Sequence, residues 1–84
     1  MKNKVLIKLL IPEIDEVYDI YIPVNKRIGS TILLINKAVS EISSGQYLCS
    51  DEYSLYNRET GDKYDSKLVV RDTDIKNGTN LILI

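Results

Sequence analysis

The chain predicts an α+β fold in which strands at both ends enclose one helix, and three observations carry that prediction. Near the start, Val5, Ile7, Leu9 and Ile11 alternate with Leu6, Lys8 and Leu10. Tyr18, Ile20 and Ile22 then alternate with Val17, Asp19 and Tyr21, the period-two pattern of half-buried strands. In the middle, Ile28, Ile32, Ile35, Val39 and Ile42 recur at steps of four, three, four and three, which is one face of a helix. At the end, a turn at Asn77-Gly78 leads into the apolar strand Leu81-Ile82-Leu83-Ile84.

Each element follows from local chemistry. Residues 5–11 form the first strand, with Lys8 marking its outer face, and the polar, Pro-started stretch 12–16 joins it antiparallel to a second strand over 17–22. Pro23 ends that strand because it has no N–H for the ladder. Asn25 and Ser30 are the two candidate helix N-caps; Ser30 is preferred, because a start at Asn25 places Gly29 inside the helix at a cost of about 1 kcal/mol. Gly45, after two serines, suits a left-handed stop. Residues 53–57 read as a third strand, residues 58–62 as a turn with Gly61 at positive φ, and Tyr64 as the mark of a short fourth strand. Residues 67–73 stay open between irregular chain and a loop whose Leu68-Val69-Val70 cluster plugs the core.

Eighty-four residues give room for one domain, residues 1–84, with one core. The single Cys49 forms no internal disulfide, and the absence of His removes both a zinc site and any side chain with an ordinary pKa near neutrality. Eleven basic residues against twelve acidic ones leave a net charge of −1 without a basic cluster, so nucleic acid is not an expected partner. No apolar run approaches the roughly 20 residues of a membrane span, and the N-terminal run 5–11 is broken by Lys8 with no small-residue cleavage site after it. These readings together predict a cytoplasmic protein with no membrane insertion.

The order of hairpin, helix, strand, short strand, irregular segment and final strand is similar to that of ubiquitin along the whole chain. The pieces that carry the resemblance are VLIKLLI, VYDIYIP, STILLINKAVSEI and YSLYNRETGDKYDSKLVVRDTDIKNGTNLILI. It implies a β-grasp fold, a four- to five-stranded mixed sheet packed on one helix. Within that superfamily, YDIYIP before the helix and IKNGTNLILI at the end resemble the small bacterial ubiquitin-like proteins of the YukD/EsaB family. That likeness implies an accessory role in type VII secretion.

Little in the sequence supports chemistry. Ubiquitin-type conjugation and the sulfur transfer of ThiS and MoaD use a flexible tail ending in Gly-Gly, whereas this chain ends on Ile84 within the strand itself. A sulfur-carrier or modifier role is therefore the disfavoured alternative. The carboxylates at Asp51-Glu52, Glu13/Asp15/Glu16 and Asp72/Asp74 sit among polar loop neighbours and read as solvated charge, not as acid–base pairs. Asp72, Asp74 and Asn77 lack the terminal Glu of a calcium loop. Cys49 has no His to activate it and reads as a part-buried structural thiol, and isolated Gly61 and Gly78 form no phosphate cradle. The expectation is a non-enzyme without cofactor or metal.

Binding is the remaining function, and the alternation says where. If Val5, Ile7, Leu9, Tyr18, Ile20, Ile22, Leu55, Leu81 and Leu83 face the helix, then Leu6, Leu10, Val17, Tyr21, Tyr56, Ile82 and Ile84 face outward. Ubiquitin binds most partners through the corresponding face, and Tyr56, Ile82 and Ile84 fall near those positions. Leu33 adds an apolar residue on the polar side of the helix. The predicted protein-binding residues are therefore Leu6, Leu10, Tyr21, Tyr56, Ile82, Ile84 and Leu33, for a secretion component or self-association. The plainer alternative is a set of ordinary surface apolar residues, with Tyr21 and Tyr56 as a cross-strand pair that only stabilises the sheet.

Overall fold

The computed structural model describes residues 3–43 and 52–84. Strand β1 (Lys4–Ile11) and strand β2 (Glu16–Pro23) form an antiparallel hairpin in which Leu6 faces Tyr21 and Leu10 faces Val17. Their connection is a 3-10 turn, Pro12–Ile14, closed by Asp15 at φ 52°, where its N–H donates to the Pro12 carbonyl at 3.1 Å. Helix α1 (Ile28–Ile42) follows, then β3 (Leu55–Asn57), a second 3-10 turn (Val70–Asp72) and β4 (Asn80–Leu83). The sheet order is β2-β1-β4-β3, with β1 and β4 parallel and the other pairs antiparallel. This is the β-grasp arrangement, a four-stranded mixed sheet with one helix.

The core lies between the helix and one sheet face. Ile7, Leu9, Ile11 and Ile22 of the hairpin, Leu55, and Leu81 and Leu83 of β4 are buried against Ile28, Ile32, Ile35 and Val39. Fully burying an aliphatic side chain contributes about 1.5–3 kcal/mol, so this cluster is the main stabilising term. The alternation of β1 and β4 therefore sorts the two faces as predicted. Burial ends at Val39, however, and Ile42 is 60% exposed. The four-three period identifies a helix face but not how far the opposing layer extends.

The helix begins earlier than its side chains suggest. Arg27, not Ser30, is the N-cap, and it makes no side-chain capping bond. The first donors are met from elsewhere in the chain: Ile28 N–H donates to the Leu68 carbonyl at 2.8 Å and Gly29 N–H to the Ser66 carbonyl at 3.0 Å. A helix terminus leaves its first N–H groups without intrahelical partners, and here two backbone carbonyls do what a Ser or Asn cap does. That approach leaves little room at Gly29, where a Cβ would lie 3.3 Å from the Ser66 carbonyl oxygen. The predicted Gly45 stop and Cys49 lie outside the described residues.

Segment 67–73 is a core plug, through Val70 alone. Val70 is fully buried, Leu68 is exposed, and the backbone is pinned by Val70 N–H to the Lys26 carbonyl and Arg71 N–H to the Val24 carbonyl, each at 2.9 Å. Tyr64 marks no strand; the chain there makes an isolated bridge between Lys63 and Tyr56. One bridging pair caps the β3 edge without extending the sheet.

Two substitutions test these contacts. Gly29→Ala gains helix propensity and loses space against Ser66, so its stability in urea denaturation is expected within about 0.5 kcal/mol of the parent, whereas Gly29→Val costs about 1–3 kcal/mol. Val70→Ala removes two buried methyl groups and leaves a cavity, and the same measurement is expected to show a loss of about 1.5–3 kcal/mol.

Candidate interaction surface

The outer sheet face is built by register. Leu10 stands opposite Val17 on one side and Ile82 on the other, and Ile82 in turn stands opposite Tyr56. Val17, Leu10, Ile82 and Tyr56 therefore form one cross-strand row over all four strands. Directly opposed side chains on one face have Cβ atoms about 4.5–5.5 Å apart, close enough to present a continuous apolar surface. Ile84 lies two residues past Ile82 along the chain and adds to this surface from the next row, held by reciprocal backbone bonds with Ser54 at 2.7 and 3.1 Å. Val17 and Ile84 are each 50% exposed, while Leu10, Tyr56 and Ile82 are half-buried by their neighbours.

Two residues the other way, the face turns polar. Asp19, Lys8 and Asn80 occupy that row, and Lys8 Nζ lies 3.4 Å from Asp19 Oδ1. Both side chains are well exposed, so this pair contributes at most about 1 kcal/mol; its larger effect is to divide the face. Beyond it Leu6 and Tyr21 oppose each other as a separate apolar pair beside the Asn77-Gly78 turn.

The predicted outer-face residues thus fall into two groups, and Leu33 stands apart from both. Leu10, Tyr56, Ile82 and Ile84 come together with Val17, Leu6 and Tyr21 sit across the polar row, and Leu33 projects from the helix on the other side of the sheet, 61% exposed. Tyr21 and Tyr56 make no cross-strand pair, because β1 and β4 separate their strands. Sequence reasoning passed over Leu34, which is 52% exposed beside the β2 edge. The signal was the Leu33-Leu34 doublet, since a single helix face cannot bury both that pair and Ile32 and Ile35.

Polar groups order the far side of the sheet. The Tyr64 hydroxyl donates to Asp74 Oδ1 at 2.7 Å and accepts from Asn57 Nδ2 at 3.1 Å, and Asn57 Oδ1 accepts from the N–H groups of Glu59 and Thr60. The Tyr53 hydroxyl donates to Glu13 Oε2, tying the approach to β3 to the first turn. Burial, then the bond to Asp74, pushes the Tyr64 pKa from 10.0 up to about 12. Among the described residues, no group of three or more His, Cys, Asp or Glu side chains is placed to hold a metal, and no helix is long and apolar enough to cross a membrane.

No protein-family model matches the sequence, and no curated protein matches it. Solved structures do match in fold. A chain of the MycP5-free ESX-5 inner membrane complex in State II has a TM-score of 0.73 and 11% identity, over 98% of this chain and 21% of that one. The N-terminal ubiquitin-like domain in the 4931431F19Rik protein has a TM-score of 0.69 and 12% identity, over 98% and 74%. The ubiquitin-like domain of the Mycobacterium tuberculosis type VII secretion system protein ECCD1 has a TM-score of 0.63 and 9% identity, over 96% and 97%. The chain accordingly spans about a fifth of the first of these and nearly all of the last. The fold is the ubiquitin-like β-grasp, shared with the ubiquitin-like domain of the type VII secretion system protein ECCD1.

The Tyr64 cluster supplies a pH test. A folded-state pKa above the unfolded value of 10.0 means that the stabilisation is complete below pH 10 and is lost as pH rises towards about 12. Thermal unfolding across that window is expected to show a fall in stability that is smaller in Tyr64→Phe, with tyrosinate absorbance losing a late-titrating component in the variant.

Proposed function

We propose that this chain is a non-conjugated ubiquitin-like protein-interaction module of the YukD/EsaB kind, bacterial and cytoplasmic, which docks on a type VII secretion component and does no chemistry of its own. The observation that carries this reading is the cross-strand row Val17, Leu10, Ile82 and Tyr56, with Ile84 beside it. A partner that covers it gains the apolar area still exposed there, most of it at Val17 and Ile84. Since full burial of such a side chain is worth about 1.5–3 kcal/mol, the partly covered members contribute less and Val17 and Ile84 contribute most. The shared fold of ECCD1 and of the ESX-5 complex chain supports the secretion setting.

The test places a charge on the row where the fold tolerates it. Val17→Asp and Tyr56→Asp are expected to keep the parent's circular dichroism. They are expected to lower association by about tenfold or more, ~1.4 kcal/mol, read by co-purification with type VII membrane components and by sedimentation for self-association. Unchanged association with an intact fold overturns the sheet face as the docking surface.

A further inference from the structure

The two edges of the sheet are not alike. The β3 edge is covered: Asn57 N–H donates to the Asp62 carbonyl at 2.8 Å, Tyr64 N–H to the Leu55 carbonyl at 2.9 Å, and Lys63 bridges Tyr56. At β2, Val24 N–H donates to the Asn3 carbonyl at 2.9 Å in line with the hairpin register. Hydrogen-bonded pairs alternate along an antiparallel ladder, so Ile22, Ile20 and Tyr18 turn their backbone groups towards β1. Val17, Asp19 and Tyr21 turn theirs outward, and among the described residues no backbone group meets them.

Beside that open edge runs an apolar groove of about 260 Å³ between β2 and the helix, lined by Ile20, Ile22, Leu34, Ile35 and Ala38. Its charge is one-sided. Lys4 lines the groove with Pro23, and exposed Lys26 and Arg27 follow in the short connection to the helix. Among the described residues none of these three cations is within ion-pair distance of a carboxylate. Glu41 lies a turn past Ala38, away from the Pro23 end.

We infer that the β2 edge and this groove form a second docking site, separate from the sheet face, for an extended peptide. The peptide alternates aliphatic side chains and carries acidic residues at the end beside Pro23. Its backbone pairs with Val17, Asp19 and Tyr21 as an added strand, and every other side chain enters the groove, the strand-addition mode of peptide recognition. The unpaired cations set the polarity. A second copy of this chain is the poorer occupant, because a two-fold antiparallel pairing that uses all three free positions centres on Asp19 and sets it against its own mate. A charge in mid-edge also discourages self-pairing generally.

The probe is a synthetic peptide of alternating valine and isoleucine ending in a short run of glutamate, titrated into the isotopically labelled protein. Amide shifts at Val17, Asp19 and Tyr21 and methyl shifts at Leu34 are expected, with a lysine-ended peptide binding at least about tenfold more weakly. Asp19→Pro, which removes an outward N–H that no other strand uses, should abolish binding, as should Leu34→Asp if the proline variant does not fold. Tyr56→Asp should leave peptide binding intact, which separates this site from the sheet face. Equal binding of the lysine-ended peptide overturns the inference. So does a response confined to Leu10, Tyr56 and Ile82, or a concentration-dependent dimer through β2 that excludes the peptide.

Discussion

The parallel pairing of β1 with β4 is the constraint on which the rest of the structure depends. It joins β1 to β4 at the centre of the sheet, and these two strands supply Ile7, Leu9, Ile11, Leu81 and Leu83 to the core. Parallel strands cannot be joined by a tight turn, so the register must be fixed by something other than a hairpin. Here the Asn77-Gly78 turn fixes it: Asn77 Oδ1 accepts from Leu6 N–H at 2.8 Å and Gly78 N–H donates to the Leu6 carbonyl at 2.8 Å. Gly78 adopts φ 88°, which a side chain would strain. With Leu6 held at both backbone atoms, Lys8 falls opposite Asn80 and Leu10 opposite Ile82. The apolar row on the outer face is therefore a consequence of the same turn that aligns the core.

The hairpin, the main body of the helix and β4 were legible because each shows its own period in consecutive residues. Val5 to Ile11 and Tyr18 to Ile22 needed no partner to reveal which side was buried. What escaped reading was whatever is decided between distant segments. The helix start was misplaced because its cap consists of the Leu68 and Ser66 carbonyls, and no local residue type announces them. Tyr64 looked like strand because aromatic residues favour strands, yet its hydroxyl is committed to Asp74 and Asn57 instead.

The candidate surface was legible in the same graded way. Which side chains leave the core followed from alternation, but which of them meet followed only from strand order. Tyr21 and Tyr56 share a face and sit on opposite edges. The Lys8–Asp19 pair that divides the surface was in plain view as two charges, and only the register of the hairpin brings them opposite each other. Leu34 belongs to neither pattern, since it lies at the border between the buried helix face and the solvent.

The backbone capping of the helix has a consequence for how the molecule assembles. A helix whose first turn is secured by a side chain can begin to form as soon as its own residues exist. This one draws its first two hydrogen-bond acceptors from residues 66–68, which in turn are held by the chain around Val70 docking on Lys26 and Val24. Contacts of such wide sequence separation carry a loop-closure cost before they return any stabilisation. The opening turn of the helix is therefore expected to close only once residues 66–68 are in place, and protection of the Ile28 and Gly29 amides would report that docking.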